Sequence, residues 1–150
     1  MAIKDLNKTI YKNPTELQKT RKWYKVDATG MTLGKLAVIV ADLLIGKNEG
    51  HYCDFWDCGA FVVVEKAGKV VVSGKKLSQK MYYTYSGWKG NVKSKNLQTL
   101  LTKKPMDPLY FAVRGMLPKN TMRDSRMKRM KMFTTASTKY DFLHPIMITK

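Results

Sequence analysis

The sequence has few of the residues that build catalytic or metal centres. Its 150 residues include two histidines, His51 and His144, and two cysteines, Cys53 and Cys58. A structural zinc site usually takes four ligands in two closely spaced pairs, and a second good pair is missing here. The cysteine spacing would allow a disulfide, but the chain shows no secretory signal, so two ordinary thiols are favoured. With no local pairing of carboxylates or of serine with a base, we expect no catalytic residues, no cofactor and no metal.

Long apolar segments are absent as well. No stretch approaches the roughly 20 apolar residues of a membrane span, and no basic helix shows one wide apolar face. Residues 1–22 are polar and lysine-rich and lack the apolar core of a signal peptide; they are neither serine-rich nor free of acids, unlike an organellar presequence. We therefore expect no membrane partner, and we interpret residues 1–22 as a basic extension that orders on its partner.

Acidic residues are scarce relative to basic ones. Lysine and arginine number 28 against 11 acids, which gives a formal net charge of +17. A charge of this size repels itself in a compact monomer and favours a polyanionic partner. Nucleic acid is the favoured partner, because its phosphate backbone presents a dense line of negative charge. An anionic membrane surface and a solvated surface without a partner are the alternatives.

What is present predicts one folded domain. Trp23–Val26 has strand-like composition, and after a turn the apolar residues that follow Thr32 recur at helical spacing until Gly46, where a helix stop belongs. Residues 60–65 and 69–73 are continuous apolar, β-branched runs, which are typical of strands buried on both faces of a parallel or mixed sheet.

The second half of the chain predicts one more strand and three helices. The strand is expected at 80–85, and the helices at 96–103, 108–116 and 121–131, with Pro118 ending the second helix. Weak signals follow. The predicted organisation is a basic extension at 1–22, a single domain at 23–133 and an irregular tail at 134–150.

One segment resembles a nucleotide-binding loop. Gly30–Lys35 has two glycines followed by a lysine, but a phosphate loop needs four residues between its glycines and a Ser or Thr after the lysine. Here three residues separate the glycines, and Leu36 follows. A tight strand-to-helix turn is therefore favoured over a nucleotide site. Lys35, beside a helix N-terminus, could still receive an RNA phosphate.

Two clusters predict nucleic-acid binding. The first interleaves lysines with tyrosines and ends at Trp88 and Lys89, where aromatic faces could stack on unpaired bases or pack in a core. The second, residues 119–131, holds six cations against the single acid Asp124. Solvated faces usually mix signs, so a face of one sign favours RNA contact through phosphate and sugar.

These segments together resemble the bacterial ribosomal protein L-thirteen family. Trp23–Ala37 matches the opening signature of the family, and Ala112–Asn120 (Ala-Val-Arg-Gly-Met-Leu-Pro-Lys-Asn) matches its most specific motif. Further matches are Gly46-Lys47, Asp57-Cys58-Gly59, Val70–Lys76 and Tyr82–Gly87. The resemblance runs from Trp23 to about Phe133. It departs from the family after Asn120, where Met122-Arg123-Asp124 replaces "L-G-R", and at Thr138-Lys139-Tyr140, which replaces "H-P-H".

The resemblance implies an α/β fold with a central, mostly parallel sheet layered between helices. It implies a structural, non-enzymatic role in binding large-subunit rRNA and in early subunit assembly, beside neighbouring ribosomal proteins and not as a free homo-oligomer. Cytoplasmic bacterial ribosomes are the expected location, with an organellar ribosome left open. An extra-ribosomal RNA-binding regulator and a nucleotide-binding enzyme using Gly30–Lys35 are the alternatives. The predicted RNA-binding residues are Lys35, Lys47, Lys75, Lys76, Lys80, Trp88, Lys89, Arg114, Lys119, Arg123, Arg126, Lys128, Arg129 and Lys131.

Overall fold

The computed structural model describes residues 13–148, so residues 1–12 of the basic extension predicted at 1–22, and the last two residues, lie outside the described part. Within the described residues, six helices and six strands follow in chain order, with short 3₁₀ turns at Ala67–Lys69 and Asp141–Leu143. They are α1 (Pro14–Lys19), β1 (Trp23–Asp27), α2 (Leu33–Ile45), β2 (Phe61–Glu65), α3 (Lys76–Gln79), β3 (Met81–Tyr85), β4 (Val92–Asn96), α4 (Leu97–Lys103), α5 (Asp107–Met116), α6 (Met122–Lys128), β5 (Met130–Met132) and β6 (Ile146–Ile148).

A four-stranded sheet forms the centre of the molecule, in the order β5-β2-β1-β6, and each neighbouring pair is parallel. In β1 the burial alternates, with Tyr24 and Val26 inside, whereas Val62, Val63 and Val64 of β2 are all buried. A strand buried on both faces is typical of a covered parallel sheet. The predicted α/β fold with a mostly parallel central sheet is confirmed.

Helix α2 supplies much of the core. Leu36, Val40 and Leu44 recur every fourth residue and are fully buried, because that spacing puts them on one face of a helix. The helix ends at Gly46, which takes the left-handed conformation (φ 89°) that glycine adopts without steric cost. Leu109 and Val113 of α5 pack into the same cluster. The predicted helix and its stop are confirmed.

The strand predicted at 69–73 is wrong. Lys66 turns left-handed (φ 52°) and a 3₁₀ turn follows, so the chain leaves the sheet. Val71 instead exchanges backbone hydrogen bonds with the start of α2: its N–H donates to the carbonyl of Met31 (2.9 Å), and its carbonyl accepts from Leu33 (3.0 Å). Thr32 stands at the N-cap position of α2, but its side chain makes no capping hydrogen bond.

Two sheet edges depart from the sequence-based expectations. The helix predicted at 121–131 ends at Lys128, and Met130–Met132 pairs with β2 as a strand. In the tail, expected to be irregular, Ile146–Ile148 pairs with β1. Both strands have three residues, too few for a periodic signal, and their strand conformation is set by the neighbouring backbone they bond to.

A second, two-stranded antiparallel sheet joins β3 and β4, and residues 86–91 connect its strands. The strand expected at 80–85 and the loop after it are confirmed, and β4 was not predicted. At the other end, α1 lies within the predicted basic extension, and its Leu17 is buried against Cys53, Cys58 and Trp56. Across residues 13–148, no helix has both the length and the apolar composition needed to cross a membrane.

Candidate nucleic-acid interface

The N-terminal end of α2 opens onto a cleft of about 550 Å³. Three predicted RNA-binding residues meet there: Lys35 from the first turn of α2, Lys76 from α3, and Lys80 just before β3. No acid stands in the first turn of α2, so the partial positive charge of the helix end adds to that of the lysines. We call this site the basic cleft.

The surroundings of the basic cleft are basic throughout. Between Glu65 and Asp107 the chain contains no aspartate or glutamate and ten lysines. This acid-free segment, residues 66–106, includes α3, the β3–β4 hairpin and α4. A surface of one sign over this length concentrates positive potential and attracts a polyanion.

The Gly30–Lys35 segment is the tight strand-to-helix turn that the sequence favours. Gly30 is left-handed (φ 70°) with open space beside it, and the chain enters α2 three residues later. The amide of Leu33 is already bonded to the carbonyl of Val71. The interpretation as a turn is confirmed.

The predicted cations in and next to α6 fall into two groups, one buried and one facing solvent. Arg126 and Arg129 are buried, with 2% and 4% of their surface exposed. The Arg129 guanidinium donates two hydrogen bonds to the Asp57 carboxylate, the one from Nη2 at 2.7 Å, and further bonds to the carbonyls of Leu44 (3.0 Å) and Ala60 (3.3 Å). Both side chains therefore lie in the interior, away from the solvent-facing side of α6.

Asp57 is the centre of this buried cluster. Arg126 lies 3.5 Å and Arg21 3.1 Å from its carboxylate oxygens, in addition to Arg129. Burial alone would raise the pKa of Asp57, but the hydrogen bonds and charge of Arg129, with the charges of the other two arginines, outweigh it and hold the pKa below its usual range. The cluster links α6 to the segment after α1 and to the loop before β2.

The remaining predicted residues face solvent to different degrees. Arg123 and Lys131 are half-buried. Lys47 lines a depression beside the C-terminal end of α2, and Met116 of α5 lines both this depression and the basic cleft. Lys128 lines a separate depression with Asp124. The exposed ones are Lys35, Lys47, Lys75, Lys76, Lys80, Trp88, Lys89, Arg114, Lys119 and Lys128.

The sequence-based reasoning missed two groups of residues. Asp57 was noticed as part of a motif, but its ion pairs with Arg21, Arg126 and Arg129 were not predicted, because these arginines are remote from it in sequence. Lys93 and Lys95 of β4 are exposed cations beside the predicted aromatic cluster. The absence of acids over residues 66–106 was the signal that could have drawn them in.

Cys53 and Cys58 are free thiols, buried under α1, with their Sγ atoms 3.5 Å apart. Burial raises the pKa of the Cys58 thiol, which keeps it protonated at neutral pH. Within residues 13–148, no three side chains of His, Cys, Asp or Glu come together as metal ligands. Cys53 and Cys58 pack against Leu17 and Trp56.

An α/β domain with extended basic surfaces has the charge distribution of a nucleic-acid-binding protein. Residues 21–139 match the family model of ribosomal protein L13. The chain is 41% identical over 129 residues to the large ribosomal subunit protein uL13 of Hydrogenovibrio crunogenus, covering 86% of this chain and 89% of the relative. It is 42% identical to that of Thermotoga petrophila (87% and 86% covered) and 44% identical to that of Aquifex aeolicus (84% and 86%). The chain belongs to the ribosomal protein L13 family.

Proposed function

We propose that this protein is a structural constituent of the large ribosomal subunit that binds large-subunit rRNA and supports early subunit assembly. Membership of the ribosomal protein L13 family supports the role. The observation that carries the mode of binding is the basic cleft, where Lys35 at the N-terminus of α2 meets Lys76 and Lys80 of the acid-free segment. No catalytic step is part of the proposal.

The mechanism is electrostatic. Lysine and arginine side chains replace the counterions condensed on RNA, and the released ions favour the complex. Contacts of this kind go mostly to phosphate and sugar, so they position the protein on a folded RNA without reading its sequence. Besides the three lysines of the basic cleft, the proposed contacts come from Lys47, Lys75, Lys89, Arg114, Lys119, Arg123, Lys128 and Lys131.

Arg126 and Arg129 are left out of the proposed contact surface. Their guanidinium groups are buried around Asp57, and turning either of them outward would leave that carboxylate short of partners in the interior. Their proposed role is to fix α6, so that Lys128 and the half-buried Arg123 are held on its outer side.

Neighbouring large-subunit proteins are the further proposed partners, and the protein is proposed to act in the subunit and not as a free homo-oligomer. The curated relatives named above come from bacteria, which supports a bacterial cytoplasmic ribosome as its location.

The basic cleft is tested with a matched pair of triple variants. Lys35→Gln/Lys76→Gln/Lys80→Gln removes three charges from the cleft, and Lys19→Gln/Lys22→Gln/Lys139→Gln removes three exposed charges outside both the cleft and the acid-free segment. Binding to a large-subunit rRNA fragment is measured against salt concentration. If the cleft holds three phosphates, the log–log slope of the first variant falls by about 2 to 3, and the control keeps the wild-type slope. Equal slopes in the two variants would exclude the cleft as the contact site.

The ribosomal role is tested separately, by sedimenting a native lysate on a sucrose gradient and following the protein by mass spectrometry. We expect it to migrate with the large subunit and to stay there through a moderate salt wash. A protein found mainly at the top of the gradient would contradict the proposal and would favour a regulator acting outside the ribosome.

A further inference from the structure

The β3–β4 hairpin presents two different faces. Side chains on a strand point alternately to opposite sides, and the ring of Tyr82 packs on Phe111 of α5, with the ring centroids 5.7 Å apart. The residues of β3 that alternate with Tyr82 therefore point away from α5. Together with their partners in β4 they form the face turned away from α5. Its members are Met81, Tyr83 and Tyr85, opposite Asn96, Ser94 and Val92. We call it the open face.

Large aromatic side chains stand uncovered on and beside the open face. Tyr83 is 71% exposed and Tyr85 is 60% exposed, and Trp88 in the connecting turn is 78% exposed. In the part of the chain that the structure describes, no other ring stacks on any of the three. Three large exposed rings within six residues of the chain favour an interaction site, whereas single exposed side chains need no explanation.

The charges around the open face select the partner. The hairpin lies in the acid-free segment, and Lys89 directly follows Trp88. Lys80 belongs to the opposite side of the hairpin, where its Nζ atom lies 5.4 Å from the centre of the Tyr82 ring. An apolar protein surface would gain nothing from a lysine beside the aromatic stripe, and a paired RNA helix keeps its base faces hidden. An unpaired nucleotide presents a base face, on which the rings can stack, and a phosphate, which Lys89 can bind.

The spacing of the rings agrees with that partner. Residues two apart on a strand lie about 7 Å apart, whereas stacked bases in a nucleic-acid strand rise by about 3.4 Å each. Tyr83 and Tyr85 are thus spaced for bases that have been separated from one another and not for a continuous stack. Single-stranded loops and bulges of RNA present bases in this way.

We propose that the open face binds unpaired nucleotides of RNA, with bases stacking on Tyr83, Tyr85 and Trp88 and an adjacent phosphate held by Lys89. The proposal rests on the proposed rRNA-binding function and deepens it. The basic cleft contributes charge alone, whereas the open face distinguishes unpaired from paired RNA. Base stacking tolerates any base, so the site selects structure rather than sequence.

The test uses the full chain and an unstructured 12-nucleotide RNA carrying one 2-aminopurine, either free or annealed to its complement. We expect the wild-type protein to change the 2-aminopurine fluorescence of the free strand and to bind the duplex more weakly. Tyr83→Ala, Tyr85→Ala and Trp88→Ala should each weaken binding to the free strand by about fivefold or more, with little effect on the duplex. Trp88→Phe, which keeps an aromatic face, should restore most of the affinity.

Salt dependence separates this proposal from the one it rests on. Removing a stacked ring releases no counterion, so the ring variants should keep the wild-type salt slope while losing affinity. The Lys35→Gln/Lys76→Gln/Lys80→Gln variant should also lose affinity, but with a flatter slope. The exposed Phe142, which lies outside the hairpin, provides the control: Phe142→Ala should change neither quantity.

Two outcomes would overturn the stacking proposal. One is an unchanged affinity for the free strand in all three ring variants, with their urea midpoints at the wild-type value. The other is normal RNA affinity combined with failure to enter the large subunit, which would assign the open face to a neighbouring protein. Neither outcome would affect the test of the basic cleft.

Discussion

Strands β2 and β3 each have five residues and are rich in β-branched or aromatic side chains, yet β2 is buried and β3 is exposed. In β2, Phe61–Glu65, every residue after the first is buried. In β3, Met81–Tyr85, every residue but Tyr82 is exposed. Strand propensity therefore says where a strand forms and not what covers it. The apolar residues of the central sheet are buried by other parts of the chain, whereas the rings of the hairpin stay exposed and available to a partner.

Substitutions in the two regions should therefore have different effects. A change in the central sheet or in the loops that pack on it should alter stability first, because its side chains are buried and in contact with one another. A change on the open face of the hairpin should alter binding and leave stability nearly untouched. This difference can be tested by comparing a substitution in the central sheet or its loops with one in the hairpin.

Gly59, just before β2, is where we expect the largest effect. A Cβ atom at Gly59 would lie 1.8 Å from the carbonyl oxygen of Leu44 and 2.8 Å from the Arg129 guanidinium. The backbone of α2 would have to move to admit it, so Gly59→Ala should lower the free energy of unfolding by about 3 kcal/mol or more. Urea unfolding followed by circular dichroism measures the loss.

Gly87 in the turn of the hairpin provides the counterpart. Its φ of 91° disfavours any side chain, but nothing lies within 4 Å of an added Cβ. Gly87→Ala should therefore cost about 1 kcal/mol from backbone strain alone. If the two glycine variants proved equally stable, the close approach of the Gly59 backbone to α2 would not be the constraint we take it to be.

The second effect in size concerns the buried charges. Asp57→Ala removes the carboxylate that faces Arg21, Arg126 and Arg129 and leaves the last two as uncompensated cations in the interior. Removing one partner of such a cluster costs about 3 kcal/mol or more. The urea midpoint should fall, and the binding of rRNA should weaken with it, because α6 loses its anchor.

Asp54 in the same loop is the matched control. It is exposed and makes its hydrogen bond to Tyr52, so Asp54→Ala should stay within about 0.5 kcal/mol of the wild-type protein. An Asp57→Ala protein as stable as this control would show that the arginines find other partners or water once the carboxylate is gone.

The sequence predicted those elements whose signals are local. The periodic leucines and valines of α2, its glycine stop, and the valine run of β2 each fall within one element, and the structure has them where expected. Strands β5 and β6 could not be predicted in this way, because three residues carry no period and their conformation depends on pairing with β2 and β1. The chain between Lys66 and Ser73 failed for a related reason: backbone bonds to the start of α2 replaced a place in the sheet.

The candidate interface shows the same division. A surplus of lysines in one segment is visible without a structure, and it led to Lys76 and Lys80, whereas Lys35 was predicted from its place beside a helix N-terminus. The fold brings all three to one cleft. The burial of Arg126 and Arg129 was not visible, since their carboxylate partner, Asp57, comes from a loop more than 60 residues earlier. Charge patterns predict which side chains are cationic, and tertiary packing decides which of them meet solvent.

The smallest effect is expected on the rim of the central sheet, where a charge pair is partly exposed. The Asp27 carboxylate accepts hydrogen bonds from Lys66 (2.7 Å) and from the backbone and hydroxyl of Thr29, which together lower its pKa from 3.8 to about 2. A lowered pKa contributes stability above the ordinary pKa, and that stability is lost as the pH falls from about 4 towards 2. Because 41% of the Asp27 side chain is exposed, solvent screening reduces the contribution to about 0.5 kcal/mol.

Asp27→Asn isolates this charge, because the amide oxygen can still accept the hydrogen bonds from Thr29 while the ion pair to Lys66 is lost. At pH 7 the variant should be about 0.5 kcal/mol less stable than the wild-type protein. The two urea midpoints should converge as the pH is lowered below 4, since the wild-type carboxylate then becomes protonated as well. A difference that stays constant down to the pKa of about 2 would mean that the shape of the turn, and not its charge, accounts for the effect.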